Sequence, residues 1–253
     1  MASTSRIVLA FDLFGTILST DSVAEKLSGF VGEEKAKQLA TVWRQYHLSY
    51  SWRLTCMGLY EDFSVLLHRA FLQTLADQDV HLDDSAIKSV LAVYDSLAAY
   101  PDVEPALRTI QGHPNIQAVL FSNGTPNMVA SSLSSSSGLA GLGNVFEQIV
   151  SVDEIKTFKP AKATYDLVAK RVGFDPGKAE DMARIWLVSS NPFDIVGARS
   201  AGMQAAWVDR LGKGWTDALV AGEKGKPTVI LRSLEEIFDA DKGVEAMVKR
   251  KSS

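Results

Sequence analysis

Three short runs of wholly apolar residues each end on a small polar residue. I7-V8-L9-A10-F11 stops at Asp12, A118-V119-L120-F121 stops at S122-N123-G124, and I185-W186-L187-V188 stops at S189-S190-N191. An apolar run of four or five residues without alternation is what a strand buried on both faces requires. I149-V-S-V152, A205-A-W-V208 and T228-V-I-L231 have the same length and character. Helix-period segments separate these runs, for example A161-K-A-T-Y-D-L-V-A-K-R-V, which Gly173 terminates. Strands alternating with helices predict a parallel sheet covered on both faces. In such sheets ligands gather at the carboxyl ends of the strands, where Asp12, Ser122, Asn123, Ser189 and Asn191 stand.

The stretch from about residue 19 to 97 has a different texture. It holds almost no glycine or proline, and its apolar residues recur with a helical period. Leu39, Val42, Trp43 and Tyr46 fall at i, i+3, i+4 and i+7. Phe63, Leu66, Leu67 and Phe71 repeat the pattern, as do Ile87, Val90, Leu91 and Tyr94. The expected architecture is therefore an α/β, Rossmann-like parallel sheet core built from residues 1–18 and 98–253, with an inserted all-helical cap over 19–97. The segment S131-S-L-S-S-S-S-G-L-A-G-L-G143 is low in complexity and reads as a frayed helix end followed by a flexible loop.

Composition narrows the function classes. A formal net charge of −4 disfavours nucleic acid and anionic membrane surfaces as partners. No apolar run approaches the roughly 20 residues a membrane span needs. The opening M-A-S-T-S-R lacks the apolar stretch of a secretory leader. The single cysteine, Cys56, permits no intrachain disulfide. These features lead us to expect a cytoplasmic protein. The four histidines are scattered without metal-ligand spacing.

The polar strand ends bring a carboxylate, hydroxyls and amides to one rim, and Lys159, in the Phe158-Lys159-Pro160 turn, adds an ammonium. Any one of these residues reads equally well as a helix cap. Taken together they point to a reactive site. Asp194 on its own reads as a solvated acid in a first helical turn.

The quoted segments resemble a known family. D12-L-F-G-T16, S122-N-G, K159-P and S189-S-N-P-F-D194 are similar to the four motifs of the haloacid dehalogenase superfamily. V42-W-R-Q-Y-H-L-S-Y-S-W52, Ser122-Asn123-Gly124-Thr125-Pro126 and S189-S-N-P-F-D-I-V-G-A-R199 look more specifically like L-2-haloacid dehalogenases. Phosphatases of the superfamily carry a second aspartate two residues after the first, which protonates the leaving alkoxide, and an extra acid in the last motif that helps hold Mg²⁺. Here Phe14 stands at the first of those positions, and Ser or Asn stands at the second. A departing halide needs no proton, so the groups that are missing are ones dehalogenation does not use. Phe14 also reads as a plain core aromatic.

The resemblance implies a metal-independent and cofactor-free hydrolysis of (S)-2-haloacids to (R)-2-hydroxy acids. Asp12 would be the covalent nucleophile, and Lys159 would keep it ionised. Asp194 would activate water, with Thr16, Ser189 and Asn191 in support. Leu13 and Ser122 would hold the substrate carboxylate, and Arg44, Asn123 and Phe193 the departing halide. Tyr165 would line the site, although it also fits the apolar face of its helix. Without the family context, Arg44 would read as an exposed helix charge. The family also implies a homodimer. A phosphatase on the same fold is the alternative. The chain departs from the family at Phe14, where Tyr is frequent, at Phe193, where Trp occurs, and in L54-T-C-M-G58. These departures bear on substrate size more than on reaction type.

Overall fold

The computed structural model describes residues 6–136, 138–139, 141–239 and 243–244. Six strands form one sheet: β1 (Ile7–Phe11), β2 (Ile116–Ser122), β3 (Phe146–Ser151), β4 (Ile185–Ser189), β5 (Gln204–Val208) and β6 (Val229–Leu231). All pairs are parallel and the order is β3-β2-β1-β4-β5-β6. β1, β4 and β5 are buried along their whole length, which is why their sequences show no alternation. The chain winds outward from β1 in both directions, so the crevice between the ends of β1 and β4 is the topological switch point. Asp12 lies at one lip of that crevice and Ser189 at the other.

Nine helices are described: α1 (Asp21–Val31), α2 (Glu33–Cys56), α3 (Phe63–Asp77), α4 (Asp84–Leu91), α5 (Val103–Gln111), α6 (Pro126–Ser135), α7 (Lys162–Arg171), α8 (Ala179–Met182) and α9 (Pro192–Ser200). The first four follow β1 without an intervening strand, and α2 packs on both α1 and α3. On α2 the buried stripe is Ala36, Leu39, Trp43, His47 and Ser51. Val42 and Tyr46, expected on the buried face, are only half-buried. The turn is set by Trp43, whose ring packs on Phe71 and whose indole N–H donates to the Leu67 carbonyl at 3.0 Å.

The strand ends shift by up to three residues from the sequence expectation, most at β3, which begins at Phe146. The serine-rich segment begins as a helix end, as expected, although that end is packed and not frayed. Residues 131–135 form the second half of α6, capped at its start by the Thr125 hydroxyl, with Pro126 in the first turn. Ser132 is buried and its hydroxyl donates to the Tyr94 carbonyl at 3.3 Å. Small hydroxyls therefore allow close packing of α6 against residues 92–95. Ser137 lies outside the described residues.

Candidate active site

β1 delivers Asp12 into the crevice with its N–H bonded to the Val188 carbonyl of β4. The chain then reverses at Gly15, whose φ of +83° is a conformation that favours glycine. The Leu13 carbonyl closes this turn by accepting from the N–H groups of Thr16, Ile17 and Leu18. The turn brings the Thr16 hydroxyl back to Asp12.

The two oxygens of Asp12 have different surroundings. Oδ2 accepts from Thr16 Oγ1 at 2.9 Å, Asn191 Nδ2 at 2.6 Å and Ser189 Oγ at 3.4 Å. Oδ1 accepts from Lys159 Nζ at 3.0 Å. The same ammonium donates to Asp194 Oδ2 at 2.8 Å and to the Phe121 carbonyl at 2.8 Å, while the Lys159 backbone N–H donates to Asn123 Oδ1 at 3.0 Å. Lys159 is 1% exposed and Asp194 0%. Removing one partner from a buried ion group of this kind typically costs about 3–5 kcal/mol, so Asp12, Lys159 and Asp194 hold one another in place.

Tyr165 comes from α7 and donates from its hydroxyl to Asp194 Oδ1 at 2.8 Å. Gly197 on α9 permits this approach, since a Cβ there would collide with that hydroxyl and with Pro160. Asp194 is thus an enclosed acid and not a solvated helix-start residue, and Tyr165 is more than an apolar face. Burial raises the Asp194 carboxyl to about 6, with Asp12 adding to the rise while Lys159 and the Tyr165 bond oppose it. Burial lowers the Lys159 ammonium, but Asp12 and then Asp194 more than offset that and leave it above the ordinary lysine value. Burial, then Asp194, pushes the Tyr165 phenol well up. Lysine and tyrosine therefore keep their protons throughout the neutral range, whereas Asp194 is poised to take one.

The helices from the insertion close over this rim. Arg44 on α2 is half-buried and donates from its guanidinium to Asn191 Oδ1, the same amide that bonds Asp12. Phe193 meets Trp52 edge-on, with ring centroids 5.5 Å apart. Phe14 stacks on Phe63 at 6.1 Å and meets Tyr94 edge-on at 5.8 Å. The Thr55 hydroxyl accepts from the Phe158 N–H at 3.2 Å, and the Tyr60 hydroxyl donates to Asp153 at 2.7 Å. The loop carrying Lys159 is therefore gripped from the helical side as well as by the sheet. Ser122 is buried, and its hydroxyl accepts from Gly124 N–H at 3.0 Å.

Residues 8–202 match the family model of the haloacid dehalogenase-like hydrolases. The chain belongs to that family. It is 33% identical to the (S)-2-haloacid dehalogenase of Xanthobacter autotrophicus, over 91% of this chain and 87% of that one. It is 28% identical to the (S)-2-haloacid dehalogenase of Pseudomonas sp. strain YL, over 93% and 95% of the two chains. The solved structure of the Xanthobacter L-2-haloacid dehalogenase with chloropropionic acid covalently bound superimposes with a TM-score of 0.76 at 28% identity, covering 92% of this chain and 96% of that one.

Within the haloacid dehalogenase-like hydrolases a magnesium ion is a natural question, since phosphate-cleaving members use one. The two carboxylates at the rim, Asp12 and Asp194, are bridged by Lys159 Nζ at 3.0 and 2.8 Å, so part of their charge is already met by an ammonium. Among the described residues no group of three or more His, Cys, Asp or Glu side chains converges.

The site contains residues that sequence reasoning passed over. Phe63 and Tyr94 were legible only as helix-stripe residues, yet they build the wall behind Phe14. His47, one turn after Arg44, was read only as a scattered histidine. It is buried, and its Nδ1 has no hydrogen-bond partner among the described residues. Burial, reinforced by Arg44, lowers its pKa to about 3. It stays neutral and leaves Arg44 as the cation on that side of the rim. Among the described residues no helix is long and apolar enough to cross a membrane.

Proposed function

We propose that the chain hydrolyses (S)-2-haloacids to (R)-2-hydroxy acids through an ester on Asp12, without a metal ion or cofactor. The observation that carries this reading is the lysine-bridged carboxylate pair. Asp12 Oδ1 is free of all but one hydrogen bond, and a second, basic carboxylate lies across the same ammonium. The similarity to (S)-2-haloacid dehalogenases supports the choice of substrate.

In the first step Asp12 Oδ1 attacks C2 from the side opposite the halogen. A C–O bond forms, the carbon–halogen bond breaks, and halide leaves with the electron pair, inverting C2. Ser122 accepts from Gly124 and can give its own hydroxyl proton to the substrate carboxylate, beside the N–H groups around Leu13. Arg44, Asn123 and Phe193 face the departing halide. In the second step Asp194 takes a proton from water as hydroxide adds to the Asp12 carboxyl carbon. The ester C–O bond on that carbon then breaks, and the alkoxide at C2 leaves with a proton returned from the site. The C2–O bond made in the first step survives, so the inversion is retained. Thr16, Ser189 and Asn191 hold Oδ2 during both steps, and Tyr165 orients Asp194. Residues 19–97 act as a cap that excludes water other than the reacting one. A cytoplasmic homodimer belongs to the same reading.

The test is a comparison of (S)-2-chloropropionate with p-nitrophenyl phosphate, each with and without EDTA. Halide release that EDTA leaves unchanged is expected. Turnover of the phosphate ester that collapses with EDTA and returns on Mg²⁺ titration would instead make the protein a phosphatase.

The two steps should separate with pH. Asp194 can accept a proton from water only when ionised; its pKa lies near 6 in the free site, and esterification lowers it by removing the Asp12 charge that helps raise it. As pH falls below that value, steady-state turnover should decline while the first-turnover burst of halide persists. The ester on Asp12 should then accumulate and be visible by mass. A burst that falls in parallel with steady-state turnover would remove Asp194 from the second step.

A further inference from the structure

Arg210 stands just after β5, outside the rim of reacting groups, and its guanidinium makes four hydrogen bonds. Nε and one terminal nitrogen donate to the two oxygens of Asp102 at 3.0 and 2.9 Å. That terminal nitrogen also donates to the Thr16 carbonyl at 2.9 Å, and the other donates to Ser190 Oγ at 3.3 Å. The cation lies over the Tyr100 ring, 4.0 Å from its centroid. Asp102 in turn accepts from the Leu234 N–H at 2.9 Å. One ion pair thus ties together the turn after β1, the loop after β4, the end of β5, the return from the helical insertion and the chain after β6.

We infer that Arg210 is a positioning residue for the nucleophile, on the reading that Asp12 forms the ester. The route is short. Ser190 N–H donates to Thr16 Oγ1 at 2.9 Å, and that hydroxyl donates to Asp12 Oδ2 at 2.9 Å. Arg210 holds the backbone of Thr16 and the side chain of Ser190 at the same time, so it fixes the spacing of the two residues whose mutual bond aims the hydroxyl. The Thr16 and Asn191 bonds stop the carboxylate from rotating and keep Oδ1 as the attacking atom. In-line attack tolerates little misplacement, and an error of about 1 Å can cost roughly 10²-fold in rate. The planar fork of arginine is needed, because it spans Asp102 bidentately while still reaching two further acceptors. A lysine offers a single point charge and cannot do both.

The setting of Arg210 also provides the test. A cavity of about 420 Å³ lies against it, lined in part by Tyr100, Ser190, Trp207, Lys213 and Trp215. Free guanidinium can enter through this cavity and fill the gap left by truncation. Arg210→Ala and Arg210→Lys should lose up to roughly 10²-fold in the single-turnover rate of halide release, with KM for (S)-2-chloropropionate close to native because Arg210 stays off the substrate. Guanidinium chloride at millimolar concentration should restore Arg210→Ala, and sodium chloride of equal ionic strength should not. Hydrogen exchange at the Ser190 amide should quicken in both variants, and guanidinium should slow it again in Arg210→Ala. A folded Arg210→Lys with native halide release and native Ser190 exchange would overturn the assignment. If Arg210→Ala does not fold, the two readouts on Arg210→Lys decide. If the unmodified protein releases no halide, the haloacid reading fails, while Ser190 exchange still decides whether Arg210 positions the Thr16 loop.

Discussion

An Asp12→Asn variant is expected to fold and to release no halide. The reason lies in how differently the two oxygens of Asp12 are held. Oδ2 is committed to Thr16, Asn191 and Ser189, and Oδ1 meets only Lys159. An amide has no charged oxygen to place on C2, and its oxygen is a poor nucleophile. Lys159 keeps Asp194 as a charged partner at 2.8 Å in the variant, so the buried ammonium is not orphaned and the fold should survive. The unmodified protein offers the sharper experiment. With enzyme in excess over (S)-2-chloropropionate in H₂¹⁸O, hydroxide adds to the Asp12 carboxyl carbon, so the label should appear in Asp12. The first product molecules take their hydroxyl oxygen from Asp12 itself and should carry none. Label in those first molecules would mean that water attacks C2 directly and that Asp12 serves as a base.

The rim was readable because the middle of a strand buried on both faces is apolar and polar residues collect at its ends. Each apolar run therefore announced where Asp12, Ser122 and Ser189 would emerge, and the sheet order brings β1 and β4 side by side. The helical insertion was readable as helices but not as a surface. Its period located Trp43 and Phe63 on buried faces, yet nothing in a period says which partner fills the other side. Phe14 against Phe63 and Tyr94 is such a meeting. His47 and Ser51 were invisible because burial of polar side chains depends on tertiary surroundings. Arg210 and Asp102 were invisible for a related reason. They lie 108 positions apart in the chain, and a charge on a loop reads as solvated until its partner is known. In the serine-rich tract composition located the helix end but not its packing, which depends on the Thr125 cap and on the Tyr94 carbonyl.

Arg44→Lys should keep the fold and much of the substrate affinity while lowering kcat by roughly 10²-fold, the order seen when one charge-stabilising donor is removed. Arg44 lies in the middle of α2, and its contact with Asn191 reaches across 147 positions of sequence to the loop after β4. Through that amide it is one bond removed from Asp12 Oδ2. The surroundings strengthen its charge. His47 beside it is held neutral, with a pKa of about 3, and Tyr94, raised to about 12 chiefly by burial, does not ionise to compete for it. As the carbon–halogen bond breaks, negative charge moves from Asp12 towards the halogen. A fixed guanidinium on that side gains more in the transition state than with bound substrate, which is the condition for raising kcat and not merely lowering KM. The lysine ammonium is a point charge on a flexible stem, and it would lose either the bond to Asn191 or the approach to the halide. Chloride should suffer more than bromide or iodide, because the smaller anion concentrates its charge and is the poorer leaving group. Steady-state kinetics on 2-chloro-, 2-bromo- and 2-iodopropionate would show this as a growing ratio between native and variant kcat from iodide to chloride. A near-native kcat on the chloride would leave Arg44 as a structural tie to Asn191 and halide departure to Asn123 and Phe193.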